Sequence, residues 1–136
     1  MSIDCVDRKV LVELELAKSH STMEECELLA GAKRWSGAAG RLYYAVFHAV
    51  CAILIHDGHR VKTHKGAGVV FSQEYIHKSV FPAAYGELFF QLESVREKSD
   101  YDCFYDVTED EVLSRIPMSK EMIATISEVV RNDNRM

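Results

Sequence analysis

Residues 37–55 read GAAGRLYYAVFHAVCAILI, the most apolar stretch of the chain, with Arg41 and His48 as its only strongly polar side chains. No apolar–polar alternation runs through it, and Asp57-Gly58 closes it with a turn signal, so the stretch reads as a helix. Because it is apolar nearly all round, it belongs at the centre of its domain. Unpaired charge is costly to bury, so a helix of this kind normally excludes both arginine and histidine. Their presence, seven positions apart, makes them the first candidates for a functional site.

Long segments to either side also carry helical spacing, and no strand pattern or Gly/Ser-rich linker interrupts them. The reading is an all-α chain, an antiparallel up-down bundle of four to five helices in one domain spanning residues 1–136. A first helix is expected over residues 4–33, with Leu11, Leu14 and Ala17, then Cys26, Leu29 and Ala30, as its apolar stripe. Ser21 and Glu24 form a capping-box pattern within it. Ser36 is the expected N-cap of the central helix, which runs to His56. A third helix covers residues 63–77, and a fourth runs from Pro82 to about Ser99. Asp100–Asp106 (DYDCFYD) reads as an ordered loop. Thr108 and Glu111 make a capping box for a last helix ending near Arg131, kinked at Pro117 or starting afresh after Ile116. Phe47, Phe71, Phe81, Phe89 and Phe90 are expected in the core or at a dimer interface.

Composition narrows the function classes. The 136 residues suffice for a real core, and 48% apolar with 27% charged is ordinary globular usage. A net charge of −5 argues against indiscriminate nucleic-acid binding, so any such contact needs a local basic patch. Cys5, Cys26, Cys51 and Cys103 form no C-x-x-C pair, sit among apolar neighbours or near a terminus, and read as reduced, mostly structural thiols of a cytoplasmic protein. The N-terminus MSIDCVDRKV has no apolar signal core. The run from Leu42 to Ile55 is expected to be too short, and too interrupted by His48, to span a membrane.

On a helix, seven positions fall about 20° short of two turns, so Arg41 and His48 share a face roughly 10 Å apart along the axis, with Tyr44 between them. That pairing suits phosphodiester chemistry without a metal. Histidine moves a proton near neutral pH, and arginine clamps a phosphate and steadies its developing charge. The structural alternative is that Arg41 pairs with Asp100 or Asp102 and that His48 is a hydrogen-bonded core residue. Because helical side chains lean towards the N-terminus, one pair closes poorly on one phosphate, whereas two copies about a dimer axis close well. Lys62, His64 and Lys65, within HRVKTHK, form the best basic patch and lead into a helix N-terminus able to hold a phosphate. His56, His59 and His64 have no supporting cysteine or second pair, and no structural metal or cofactor is expected.

R-L-Y-Y-A-V-F-H resembles the arginine–histidine signature of HEPN domains, in particular the small stand-alone branch with an R-x-Y-Y-A-x-F-H helix. The resemblance continues through Gly58, K-T-H-K-G (residues 62–66), F-S-Q-E-Y and R-E-K-S-D-Y-D (residues 96–102), covering residues 28–112. It implies a four- or five-helix antiparallel bundle with a continuous first helix, commonly a homodimer whose motifs line a shared cleft. It also implies a metal-independent RNase, often a toxin paired with a minimal nucleotidyltransferase antitoxin, with Arg41 on the scissile phosphate and His48 transferring the proton. From the residues themselves, Tyr44 and Asp100 are the candidate supporting residues, with Asp100-Tyr101-Asp102 read either as support for the Arg41 end of the site or as a pin of the loop to the bundle. Leu42 stands where many active members have a polar residue. Val50 stands where some toxin pairs have a tyrosine that the antitoxin adenylylates. The alternative function is a non-catalytic helical module that binds a nucleotidyltransferase partner or a nucleotide.

Overall fold

A computed structural model describes residues 5–133, so the expected helix start at Asp4 lies outside the described residues. The elements are α1 (Cys5–Gly31), α2 (Trp35–His56), α3 (His64–Phe71), a π-helical turn (Ser72–Ile76), α4 (Ala83–Tyr101), α5 (Glu109–Leu113) and α6 (Ile116–Arg131). No strand occurs among the described residues, and the all-α reading holds.

α1 is continuous through Ser21. Its buried positions are Val12, Leu16, Ser19, Thr22, Met23, Cys26 and Ala30, a three–four repeat that turns one stripe to the core. The expected stripe through Leu11, Leu14 and Ala17 is corrected: those positions are exposed, Leu14 by 61%. The true stripe includes a serine. Ser19 is wholly buried and donates its hydroxyl to the Ala45 carbonyl at 2.6 Å, which satisfies a polar group that a hydrophobicity pattern places outside.

α2 is the centre. It contacts each of the other α-helices, and eleven of its residues are buried, among them Leu42, Tyr43, Val46, Val50 and Ile53. At 22 residues it is long and apolar enough to cross a membrane by length and composition, contrary to the expectation from Leu42–Ile55. In the bundle, however, 61% of its most apolar window is packed against other helices. Burying each large aliphatic side chain contributes about 1.5–3 kcal/mol. The N-cap is Arg34, not Ser36, and no side chain caps this end. The far end stops as the sequence indicates: Gly58 adopts φ +81°, and the His59 amide reaches back to the Leu54 carbonyl at 2.8 Å.

Cross-helix pairs fix the directions. Glu15–His48 and Ser19–Ala45 run antiparallel between α1 and α2, Arg131–Glu13 and Lys120–Glu27 between α6 and α1, and Tyr85–Thr125 and Arg115–Gln91 between α4 and the chain through α6. The third helix changes to a π turn after Phe71, where Tyr75 is buried and donates to Asp57 at 2.5 Å. The Thr108–Glu111 capping box is present, but it opens only the single turn of α5. The chain breaks at Ser114–Arg115, and α6 restarts with Pro117 in its first turn, the second of the two expected arrangements. Asp100 and Tyr101 belong to α4 rather than to the loop. Two further expectations are corrected. Phe90 is 74% exposed, on the outer face of α4. Cys103 is exposed, whereas Cys26 is buried and its thiol is pushed up to about 11, chiefly by burial.

Candidate active site on the central helix

Arg41 and His48 lie on one face of α2, and the Tyr44 ring joins them. The Arg41 guanidinium lies over that ring at 5.2 Å, and the His48 ring is tilted against it at 6.5 Å. Arg41 does not pair with Asp100 or Asp102. Asp100 instead takes Arg96 at 3.1 Å, one turn back on α4, and Asp102 accepts the Phe104 amide. Among the described residues Arg41 has no carboxylate partner, which leaves its positive charge available to an anion. Asp100 therefore supports the neighbourhood through Arg96, not through Arg41.

His48 is held by a residue that the sequence did not single out. Its Nδ1–H donates to Glu15 Oε2 at 2.7 Å across the α1–α2 contact, with both side chains partly buried. An ionised carboxylate only accepts, so this bond fixes the proton on Nδ1 and leaves Nε2 as the free position. Among the described residues Nε2 has no hydrogen-bond partner. No periodicity or motif marks Glu15, because α1 carries glutamates on every polar face.

His64, expected as part of a basic phosphate patch, has a different setting. It opens α3 behind the N-cap Thr63, whose side chain accepts the Gly66 amide at 2.8 Å. Its ring stacks on Phe47 at 4.2 Å and 4°, stands edge-on to Tyr44 at 5.7 Å, and pairs Nδ1 with the Tyr43 hydroxyl at 3.3 Å. Burial first, then the charges of Arg96 and His48, hold it below the ordinary histidine range. Arg96 is the second residue that the sequence reading left unassigned, although it opens R-E-K-S-D-Y-D. It lies over Tyr43 at 5.0 Å and Tyr44 at 5.7 Å, and its buried Nε has no hydrogen-bond partner among the described residues. The Tyr43 phenol is pushed well above its usual range, chiefly by burial and then by Glu93.

Lys65 sits on the rim of an adjoining groove of about 790 Å³, between α3 and α4, whose lining includes Phe89, Phe90 and Glu93. Glu93 is raised by burial and then by Glu97, with Arg96 and Lys65 opposing. Lys62 is exposed in the link before α3, as are His64 and Lys65 at its start. Cys51, on the same stripe, is pushed up to about 12 by burial and then by Glu15, so it remains a thiol and serves packing.

His56, His59 and His64 have separate neighbours: His56 pairs with Asp133 at 2.5 Å, His59 lies edge-on to Tyr75, and His64 stacks on Phe47. His56, Asp57 and Asp133 bring one ligand-type atom each within 4.8 Å of one another. That cluster lies at the end of α2, about 12 Å along the axis from His48.

The class so defined is an all-α bundle whose central helix presents an unpaired arginine and a carboxylate-anchored histidine on one face. Comparison with known proteins makes it specific: HEPN domain sequences match residues 12–129, and the chain belongs to the HEPN domain family. It is similar to a UPF0332 protein of Thermotoga maritima, 21% identical over 129 residues, which cover 95% of this chain and 98% of the relative. It is also similar to Putative toxin MJ0142 of Methanocaldococcus jannaschii, 25% identical over 113 residues, covering 82% and 77%. Putative toxin MJ0605 of the same organism is 26% identical over 88 residues, covering 65% and 64%.

Proposed function

We propose that this protein is a metal-independent RNA endonuclease of the HEPN type, cytoplasmic and homodimeric, acting as the toxin partner of a nucleotidyltransferase antitoxin. One observation carries the catalytic reading. Arg41 has no carboxylate partner among the described residues, and His48 has its Nδ1 engaged and its Nε2 open, with both side chains on the Tyr44 ring. Arg41 binds the scissile phosphate through two hydrogen bonds and balances the charge that grows on its oxygens. His48 carries a proton at the reacting oxygen through Nε2. Attack by the ribose 2′-hydroxyl then gives a 2′,3′-cyclic phosphate and a 5′-hydroxyl end. A dimer in which two such faces line one cleft brings two arginines and two histidines to one strand. The toxin role is supported by the names of the two Methanocaldococcus relatives.

A second reading, a non-catalytic module that docks a nucleotidyltransferase partner, is favoured by two positions. Leu42 and Val50, where catalysis and modification would place polar side chains, are core residues with 1% and 0% exposure. One experiment separates the readings: purified protein with RNA in excess chelator, alongside Arg41→Ala and His48→Ala, and growth on induction of each. The endonuclease reading expects cleavage and arrest from the wild type alone. Absence of cleavage under all conditions, or cleavage indifferent to both substitutions, removes it.

A further inference from the structure

We infer that His64 is the second proton-transfer residue of this site, taking the proton of the ribose 2′-hydroxyl while His48 delivers one to the departing 5′-oxygen. This rests on the ribonuclease reading above.

The two imidazoles come from different segments, α2 and the start of α3, and meet around the same two rings. Phe47 stacks on His64 at 4.2 Å and stands edge-on to His48 at 5.6 Å, while Tyr44 contacts both, at 5.7 and 6.5 Å. Each is anchored through Nδ1, His48 on Glu15 and His64 on the Tyr43 hydroxyl. Among the described residues neither Nε2 has a partner. When Tyr43 Oη accepts from Nδ1–H, the lone pair of His64 lies on Nε2, the nitrogen without a hydrogen-bond partner among the described residues.

In-line cleavage of a phosphodiester needs a base at one end and an acid at the other in the same turnover, and one imidazole cannot be both at once. Partial burial, then the charges of Arg96 and His48, lower His64 below the ordinary histidine range, a shift that favours the neutral ring a base needs. His48, with Nδ1 engaged by Glu15 and Nε2 open, is placed to carry a proton to the departing oxygen. The 2′-hydroxyl proton passes to His64 Nε2 as the O2′–P bond forms. The P–O5′ bond breaks, and the 5′-oxygen takes the proton from His48 Nε2. Exchange with water then resets both rings. One protomer thus supplies both proton carriers, and Arg41 lies on the Tyr44 ring that both of them contact.

The test compares wild type, His48→Ala, His64→Ala and His64→Gln on a short RNA and on its analogue with sulfur as the 5′ leaving atom. A thiolate departs without a proton. On the oxygen substrate His48→Ala and His64→Ala each lose about 10²- to 10⁴-fold. On the sulfur substrate His48→Ala recovers to about tenfold of wild type, and His64→Ala does not. His64→Gln behaves as His64→Ala. Independently of cleavage, the His64 ring resonance titrates at higher pH in His48→Ala, because one of the charges that depress it is gone. His64→Ala at wild-type rate beside an inactive His48→Ala overturns this inference and spares the ribonuclease reading. Rescue of His64→Ala by sulfur overturns the assigned roles. A wild type inactive on both substrates overturns both readings.

Discussion

Glu15 Oε2 accepts the Nδ1–H of His48 at 2.7 Å, and one turn along the same interface Ser19 donates to the Ala45 carbonyl at 2.6 Å. These two bonds set the register of α1 on α2, and the first also sets the tautomer of the histidine. A helix whose charged positions read as solvated surface therefore acts on the chemistry of its neighbour.

If Glu15 positions His48, Glu15→Ala lowers the cleavage rate by about 10- to 100-fold with KM little changed, and Glu15→Gln lowers it less. The ring nitrogens report the cause directly. In ¹⁵N spectra the wild-type His48 carries its neutral-form proton on Nδ1, and Glu15→Ala loses that preference. An unchanged tautomer with an unchanged rate would make the Glu15 contact merely structural.

Arg41→Lys retains the charge and loses the planar fork that holds two phosphate oxygens, so it is not a conservative change here. Arg41→Ala and Arg41→Lys both reduce cleavage, by about 10²- to 10³-fold for alanine. Neither alters helical content or thermal midpoint appreciably, since Arg41 makes no ion pair among the described residues and lies over Tyr44. Circular dichroism with initial-rate measurements checks both halves. A large loss of helix would show Arg41 to be structural instead.

His64 makes stability depend on pH in a defined direction. Its folded-state value lies below the ordinary 6.5, so the unfolded chain binds the proton first as pH falls. Stability therefore drops as pH falls from 6.5 to the depressed value and levels off below it. Arg96 and His48 supply the opposing charge, and Tyr43 holds Nδ1. Glu93, raised above 4.5 by burial, acts with the opposite sign, gaining stability as it protonates. Urea unfolding of wild type and His64→Gln at a series of pH values isolates the histidine. The variant loses the decline below 6.5, and parallel curves would remove His64 as its source.

Legibility in the sequence followed the kind of signal each element carries. Gly37–Ile55 announced the central helix because almost every face of it is buried, and Asp57-Gly58 announced its end because only glycine sits easily at φ +81°. α1 was visible as a helix, but its core face was displaced, since Ser19 and Thr22 are buried where pattern alone looks for aliphatics. Arg41, Tyr44 and His48 share a helix, so spacing alone put them together. Glu15, His64 and Arg96 come from three other helices. Their meeting depends on packing, which no local period encodes. Asp100 was assigned to Arg41 from its charge, and the nearer Arg96, four residues earlier on the same helix, claimed it.

Tyr43 offers a way to separate anchoring from packing. Its ring is fully buried, stacks on Phe89 at 5.8 Å and 6°, and lies beneath Arg96, while its hydroxyl reaches His64. Tyr43→Phe keeps every ring contact and removes only the hydroxyl, so stability changes by about 1 kcal/mol or less. The histidine loses its Nδ1 partner, and cleavage falls by about tenfold if His64 works as the base. Tyr43→Ala instead opens a cavity at the centre of the bundle and costs about 3–5 kcal/mol, enough to unfold much of the population. Chemical denaturation and rate measurements on both variants give the comparison. A Tyr43→Phe protein with native stability and full activity would show that the hydroxyl contributes nothing to the site.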